Sequence, residues 1–168
     1  MASGKVVGHY IRETPPGANA ATVDVRSGGS TPSEELAIRD FDDGTDEYMD
    51  YLFVMRDYDA GGLTVNLKWM ASTATSGNVV WQAALRRIAD DAEDIDSSHT
   101  YAFNTVTAGA PSASGEVGYD SITFTDGADM DSVADGDLFI LRVSRDADNA
   151  SDTMTGDAEL LAVEVLET

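Results

Sequence analysis

The chain has 168 residues, 42% of them hydrophobic, and carries 31 acidic against 10 basic side chains, for a formal net charge of −21. Its length fits one domain, and the absence of cysteine excludes disulfides, thiol nucleophiles and cysteine-ligated metals. The strong negative charge opposes contact with nucleic acid and with anionic membranes, and no apolar run approaches a membrane span, so neither is expected as a partner.

Residues 1–35 have the composition of an extended arm. They contain three of the four prolines, with several glycines and only two short strand-like segments, KVVGHYIRE and ATVDVRS. An arm of this kind is poorly ordered alone, so we expect it to lie on the rest of the chain or on another subunit. The sequence therefore predicts an N-terminal arm over 1–35 and one domain over 36–168.

From residue 36 onward the chain is a series of short strand patterns separated by turn residues. In chain order the patterns are ELAIRDF, YMDYLFVMRDY, LTVNLKWMA, VVWQAALRRI, TYAFNTVT, YDSITFT, DLFILRVSRD and AELLAVEVLE. Eight antiparallel strands with uneven connections predict an all-β fold, a jelly-roll sandwich with the extended N-terminal arm attached. The segment WQAALRRIADDAEDI also has helical propensity, and GADMDSVADGD suggests one helical turn.

Two of the predicted strands are apolar on both faces. In the second strand, Leu52 and Val54 lie on the face that points away from the core. In the seventh strand, Leu138 and Ile140 lie on the corresponding outer face. Strands of this kind are covered on both sides, whereas the outer face of a sandwich normally meets water. We therefore predict a subunit or partner interface that combines these residues with apolar residues of the arm, namely Val6, Val7, Tyr10 and Ile11.

Catalytic and cofactor motifs do not emerge from the sequence. The two histidines, His9 and His99, have no neighbours at metal-ligand spacing, and no Gly-x-Ser-x-Gly motif occurs. A Ser-His-Asp triad stays open, since its members are often far apart in sequence. The prediction is a protein that is not an enzyme and uses no cofactor.

The acidic stretch DADNASDTMTGD is the best candidate for a calcium loop. Asp146, Asp148 and Asp152 supply carboxylates, but an EF-hand-like loop would need an acid where Ala150 stands and glycine where Ser151 stands. The spacing favours a solvated turn over a metal site.

The same stretch contains a candidate ion pair. Arg145 ends a predicted strand, and Asp152 follows in the connection to the last strand. A bidentate Arg145–Asp152 pair would hold this connection so that the last strand enters its sheet in register. The alternative is a loose surface pair that contributes little.

Carbohydrate binding is a further alternative, because sandwiches bind sugars on exposed aromatic rings. Trp69 and Trp81 fall on apolar strand faces and are predicted to be core residues. The remaining candidates for a sugar platform are tyrosines near strand ends, namely Tyr48, Tyr58, Tyr101 and Tyr119.

Several segments together resemble a jelly-roll domain found in structural proteins of tailed bacteriophages. The shared features are a strand ending in Trp, the strand start SGNVVW, the strand GDLFILRVSRD and the connection ASDTMTGDAELLAVEV. The resemblance covers about residues 36–167 and leaves the arm outside. It implies a capsid cement or decoration protein that stabilises the head.

A protein of this kind would be made in the host cytoplasm and reside on the exterior of the virion. It would bind the major capsid protein and form a homo-oligomer, a trimer by analogy with the family. The alternatives that the resemblance leaves open are a head-fibre, tail-associated or receptor-binding jelly-roll domain.

Overall fold

The computed structural model describes residues 4–168, and its regular structure is almost entirely β-strand. The strands, in chain order, are β1 (Gly8–Thr14), β2 (Thr22–Ser27), β3 (Glu35–Phe41), β4 (Glu47–Met55), β5 (Leu63–Ala71), β6 (Asn78–Ile88), β7 (Asn104–Gly109), β8 (Gly118–Phe124), β9 (Leu138–Arg145) and β10 (Ala158–Glu167). A short 3-10 helix, Ala128–Met130, lies where the sequence predicts one helical turn.

The strands form two five-stranded antiparallel sheets. Sheet I has the order β1-β4-β9-β6-β7, and sheet II has the order β2-β3-β10-β5-β8. Strands β3 to β10 by themselves give β4-β9-β6-β7 and β3-β10-β5-β8, the strand orders of an eight-stranded jelly roll. The predicted fold class is confirmed, with the correction that the sandwich has ten strands instead of eight.

The two additional strands come from the N-terminal segment, and each extends one sheet at its edge. β1 pairs with β4 in sheet I, and β2 pairs with β3 in sheet II. The sequence contains both strand patterns. The partner of β1 is distant in the chain, whereas β2 pairs with the next strand, β3. The division of the chain at residue 35 stays a prediction.

Gly8 allows the chain to pass from one sheet to the other. Just before it, the Val7 amide donates to the Val165 carbonyl of β10 at 3.1 Å, whereas Gly8 itself pairs with Met55 of β4. A Cβ at position 8 would lie 2.5 Å from the Val165 Cβ. Any residue other than glycine would therefore force the sheets apart at this crossing.

The core is built from the inward-facing residues of both sheets, and β5 shows the alternation most clearly. On β5, Leu63, Val65, Leu67 and Trp69 are fully buried, as their period of two predicts. The Trp69 ring packs edge-on against Trp81 of β6, with centroids 5.8 Å apart, so both tryptophans are core residues.

The segment with helical propensity is a strand. β6 lies between β9 and β7 in sheet I and pairs with both. Val79, Trp81, Ala83 and Leu85 all point into the core. Burial of this face against sheet II outweighs the helical preference of the sequence.

Candidate functional site

The outer face of sheet I carries the second set of apolar side chains that the sequence predicts on β4 and β9. Leu52 lies directly opposite Ile140, and Val54 lies opposite Leu138. Ile88 at the end of β6 is also opposite Leu138. These residues are not covered by the other sheet, and Leu138 remains 38% exposed. The register thus assembles an aliphatic strip where a sandwich normally presents polar residues.

This strip is the floor of a groove of about 430 Å³, which we call the apolar groove. Its aliphatic lining consists of Leu52, Ile88, Ile95, Leu138 and Ile140, and its polar lining consists of Arg12, Thr14 and Asp50. Arg12 and Thr14 come from β1, and Ile95 comes from the loop after β6. The groove therefore runs across β4 and β9 between two walls.

The loop wall is attached to the sheet by Arg86. The Arg86 side chain is almost fully buried, and its Nη2 donates to the carbonyls of Asp94 at 3.0 Å and Ser97 at 3.2 Å. These bonds hold the loop over β6. Ile95, which lies between the two anchoring carbonyls, is thereby kept at the groove, with 55% of its surface exposed.

Beyond the groove, the outer face is closed by a cluster around Arg142. The guanidinium donates to both carboxylate oxygens of Asp50 at 2.7 Å and lies 4.1 Å from the centroid of the Tyr101 ring. The hydrogen bond to Asp50 raises the pKa of Arg142, while burial raises the pKa of Tyr101. The cluster is a bidentate Arg142–Asp50 ion pair with the Tyr101 ring packed on the guanidinium, and it forms the polar end of the groove.

The predicted interface residues of the arm occupy different environments. Val6, Tyr10 and Ile11 are each about half exposed; Tyr10 and Ile11 lie on β1 at the open edge of sheet I, whereas Val6 bridges to Leu166 of β10 in sheet II. Val7 is wrongly assigned to an interface, because its side chain is fully buried in the core. Its amide pairing with β10 turns it inward, which the local sequence does not indicate.

The predicted partners Arg145 and Asp152 lie in direct contact inside the protein. Arg145 Nη2 donates to Asp152 Oδ1 at 2.8 Å and Nε donates to Oδ2 at 3.1 Å, and neither side chain has more than 2% of its surface exposed. The guanidinium also donates to the carbonyls of Phe41, Met154 and Gly156. We call this arrangement the Arg145 junction.

The connection from β9 to β10 is bonded to the start of β6 at the same place. The Val80 amide donates to Asp152 Oδ2 at 2.9 Å, and the Asn78 carbonyl accepts from the amides of Thr153 and Met154. A Cβ at Gly77 would lie 2.7 Å from Met154 Cα. The segments SGNVVW and ASDTMTGD, which are far apart in sequence, therefore form one structural unit.

The calcium candidates divide into two environments. Asp146 and Asp148 lie near Asp46, with one carboxylate oxygen from each within 4.8 Å of the others, whereas Asp152 is occupied by Arg145. The charges of Asp46 and Asp146 raise the pKa of Asp148. Asp46 also accepts the Ala147 amide at 2.8 Å, so part of this cluster serves to shape the turn.

A second carboxylate cluster, on the outer face of sheet II, has no signature in the sequence. Asp40 of β3 lies opposite Glu159 of β10, and its Oδ1 is buried without a hydrogen-bond partner in the described chain. Burial, followed by the charges of Asp157, Glu159, Asp24 and Glu47, raises the pKa of Asp40 to about 7. The pairing of β3 with β10 brings Asp40 next to Glu159, and no local spacing indicates it.

The four tyrosines do not form one platform. Tyr48 and Tyr101 both contact Arg142, with the Tyr48 centroid 5.7 Å from the guanidinium carbon. Tyr58 is buried and donates to Asp126 at 2.7 Å. Tyr119 lies on β8 in sheet II, where its ring is 73% exposed.

No family model matches the chain, and no curated protein matches it. Among solved structures, it is similar to TmCBM61 in complex with beta-1,4-galactotriose, a carbohydrate-binding module, with 10% sequence identity and a TM-score of 0.39. That similarity covers 94% of this chain and 88% of the other. A likeness this low carries no argument about function. Within residues 4–168, no helix is long and apolar enough to cross a membrane.

Proposed function

We propose that this protein is a non-enzymatic virion structural protein, a capsid decoration protein that binds the outer surface of a phage head through the outer face of sheet I. The observation that carries the proposal is the apolar groove. Its floor joins Leu52 and Ile140 on two neighbouring inner strands of the sheet. An apolar surface of this kind on a monomer marks an interaction site.

The proposed partner is the major capsid protein. With a net charge of −21, the protein repels packaged nucleic acid and favours contact with basic patches on a shell. Binding across neighbouring shell subunits would stabilise the shell by mass action. The phage resemblance of the segments that build the Arg145 junction supports the same assignment.

We further propose that the protein is a homo-oligomer, with a trimer as the first candidate. The open edge of sheet I, formed by β1 with Tyr10 and Ile11, offers apolar side chains for contact between subunits, and Val6, which bridges to Leu166 of β10, adds a further exposed one. Unpaired edge strands are otherwise prone to uncontrolled association, so an ordered subunit contact would also protect this edge. Light scattering of the purified protein measures the subunit number.

The proposal is tested by adding the purified protein to capsids that lack it and imaging the particles. We expect wild type to bind in regular positions and Ile140→Asp to lose binding. Val23→Asp, which places the same charge at a 64% exposed valine of β2, is the matched control and should bind like wild type. Capsids that stay bare with wild type would refute the assignment, whereas a few copies at one vertex or the tail would favour a fibre or receptor-binding domain.

A carbohydrate-binding module is the second candidate function, and Tyr119 is the observation that favours it. Its exposed ring lies next to Lys68, whose ammonium is 5.4 Å from the ring centroid. An exposed aromatic ring beside a polar side chain is suited to stacking a sugar and bonding its hydroxyls. A glycan array that gives signals with wild type and none with Tyr119→Ala would support this candidate over the first.

A further inference from the structure

We propose that the apolar groove binds a segment of the shell protein in which aliphatic side chains are combined with lysine or arginine residues. This inference rests on the proposed function, because it takes the shell as the source of the segment. It goes further in naming the chemistry and the orientation of the occupant. Three features of the groove support it.

The floor of the groove selects aliphatic side chains. Leu52, Leu138 and Ile140 present branched aliphatic groups without an aromatic ring on which a sugar could stack. The volume of about 430 Å³ falls in the range of about 300 to 1,000 Å³ that is typical of ligand pockets. Leucine, isoleucine or valine side chains of a partner would bury the exposed part of this floor.

The two walls differ in charge. The wall formed by β1 carries Arg12, whereas the loop after β6, which contributes Ile95 to the groove, carries exposed carboxylates close to Ile95 in the chain, namely Asp90, Asp91, Glu93, Asp94 and Asp96. Between the walls, Arg142 is neutralised by Asp50. The loop wall thus attracts cations, which places the basic residues of the occupant over the loop and away from β1.

The acidic wall is held in position before any partner binds. Arg86 bonds two carbonyls of the loop from beneath, so the carboxylates are presented by an anchored segment. A positioned wall loses less conformational freedom on binding than a free loop does. Charge complementarity and an aliphatic floor therefore act at one prepared site.

The test is selection of a displayed random peptide library on immobilised wild-type protein, followed by solution binding of the enriched peptides. We expect enriched sequences that combine aliphatic residues with lysine or arginine and bind more weakly at high salt. Leu52→Asp and Ile140→Asp should each weaken binding by about tenfold or more, and the control Val23→Asp should leave it unchanged. Circular dichroism and thermal melting establish that each variant is folded.

Neutralising the wall tests the charge separately from the floor. The triple variant Asp90→Asn, Asp91→Asn, Glu93→Gln should weaken the selected peptides by about threefold to tenfold at low salt and have little effect at high salt. The control neutralises two exposed acids elsewhere, Glu34→Gln in the turn before β3 and Glu35→Gln at the start of β3 in sheet II, and is compared with the double variant Asp90→Asn, Asp91→Asn. No enrichment, enrichment of acidic peptides, or binding that ignores Ile140→Asp would overturn the inference.

Two further outcomes separate this inference from the proposed function. If peptides bind the groove as expected but capsids do not bind the protein, the groove chemistry stands and the capsid assignment fails. If capsids bind and no peptide depends on the groove, the inference fails alone. A wild-type oligomer that Ile140→Asp converts to monomers would show that a second copy occupies the groove, which also overturns it.

Discussion

Arg145 and Arg142 lie on the same strand, β9, but face opposite sides of sheet I. Arg145 points inward, is fully buried and makes hydrogen bonds to Asp152 and to three backbone carbonyls. Arg142 points outward, pairs with Asp50 and keeps 23% of its side chain exposed. The inner arginine joins three segments of the fold, whereas the outer arginine closes one end of a groove.

The two faces of sheet I therefore serve different purposes. On the inner face, the Arg145 guanidinium is satisfied within the chain, so a substitution there acts on stability. On the outer face, Leu52 and Ile140 are only half buried within the chain, so a substitution there should act on binding. Changes on the two faces should therefore separate stability from interaction.

The largest effect is expected from Arg145→Met. It removes the guanidinium, leaving the buried Asp152 carboxylate and three carbonyls with fewer partners. We expect a loss of about 3 to 5 kcal/mol in the free energy of unfolding. Urea unfolding followed by tryptophan fluorescence measures it. Arg56→Met, at an exposed arginine, is the control and should change little; an equal loss in both variants would contradict the role of the junction.

Two leucines, one on each type of face, should differ in how much their truncation lowers the free energy of unfolding. Leu67→Ala, in the core of sheet II, should cost about 2 to 5 kcal/mol, because it removes a fully buried side chain. Leu52→Ala, on the outer face of sheet I, should cost less than about 1 kcal/mol. Denaturant midpoints at constant m-value provide the comparison. Similar losses would show that the groove is already covered within the chain.

Arg142→Met should have an intermediate effect of about 1 to 2 kcal/mol, since Asp50 loses its bidentate partner at a site that water partly reaches. Arg142→Lys should restore less than half of this loss, because lysine cannot donate in the same planar geometry. Urea unfolding of the two variants measures the difference. Full restoration by lysine would mean that charge alone matters at this position.

A further effect is expected from pH, through Asp40. Its pKa of about 7 in the folded protein exceeds its ordinary value of 3.8, so the folded state holds a proton that the unfolded chain releases. Stability should therefore be highest near or below pH 4 for this group and fall as pH rises to about 7. Asp40→Asn should raise the melting temperature at pH 8 and flatten its pH dependence.

The control for this measurement is Asp91→Asn, at an exposed acid in the loop after β6. It should leave the pH dependence unchanged. If the melting temperature of Asp40→Asn falls at pH 8 instead, the ionised carboxylate stabilises the fold and the expected sign is wrong.

The period of two along the strands is sufficient to predict the sandwich and its core. Leu67 lies between the polar residues Asn66 and Lys68 and is buried as the pattern requires. The doubly apolar strands are also evident in the sequence, because Leu52 and Ile140 interrupt that alternation. These features are local, and hydrophobic periodicity reports them directly.

The pairing of distant strands, in contrast, leaves no local pattern in the sequence. The sequence around Val7 does not indicate whether its side chain is buried or exposed. Its burial follows from the hydrogen bond between the Val7 amide and the Val165 carbonyl of β10. The pKa of Asp40 is raised by burial and then by the charges of Asp157 and Glu159, which are far away in the chain. The wall of the groove likewise depends on Arg86 bonding a loop whose composition is typical of a solvated segment.

The strand orders have a consequence for how this protein is made. β9 and β10, which follow the other eight strands of the sandwich in the chain, occupy the middle positions of their sheets. A nascent chain that ends before β9 has β1 and β4 on one side of a gap and β6 and β7 on the other. Neither sheet can be completed until its central strand has been synthesised. Folding is therefore expected to follow translation, with slow, long-range strand insertion as its final step.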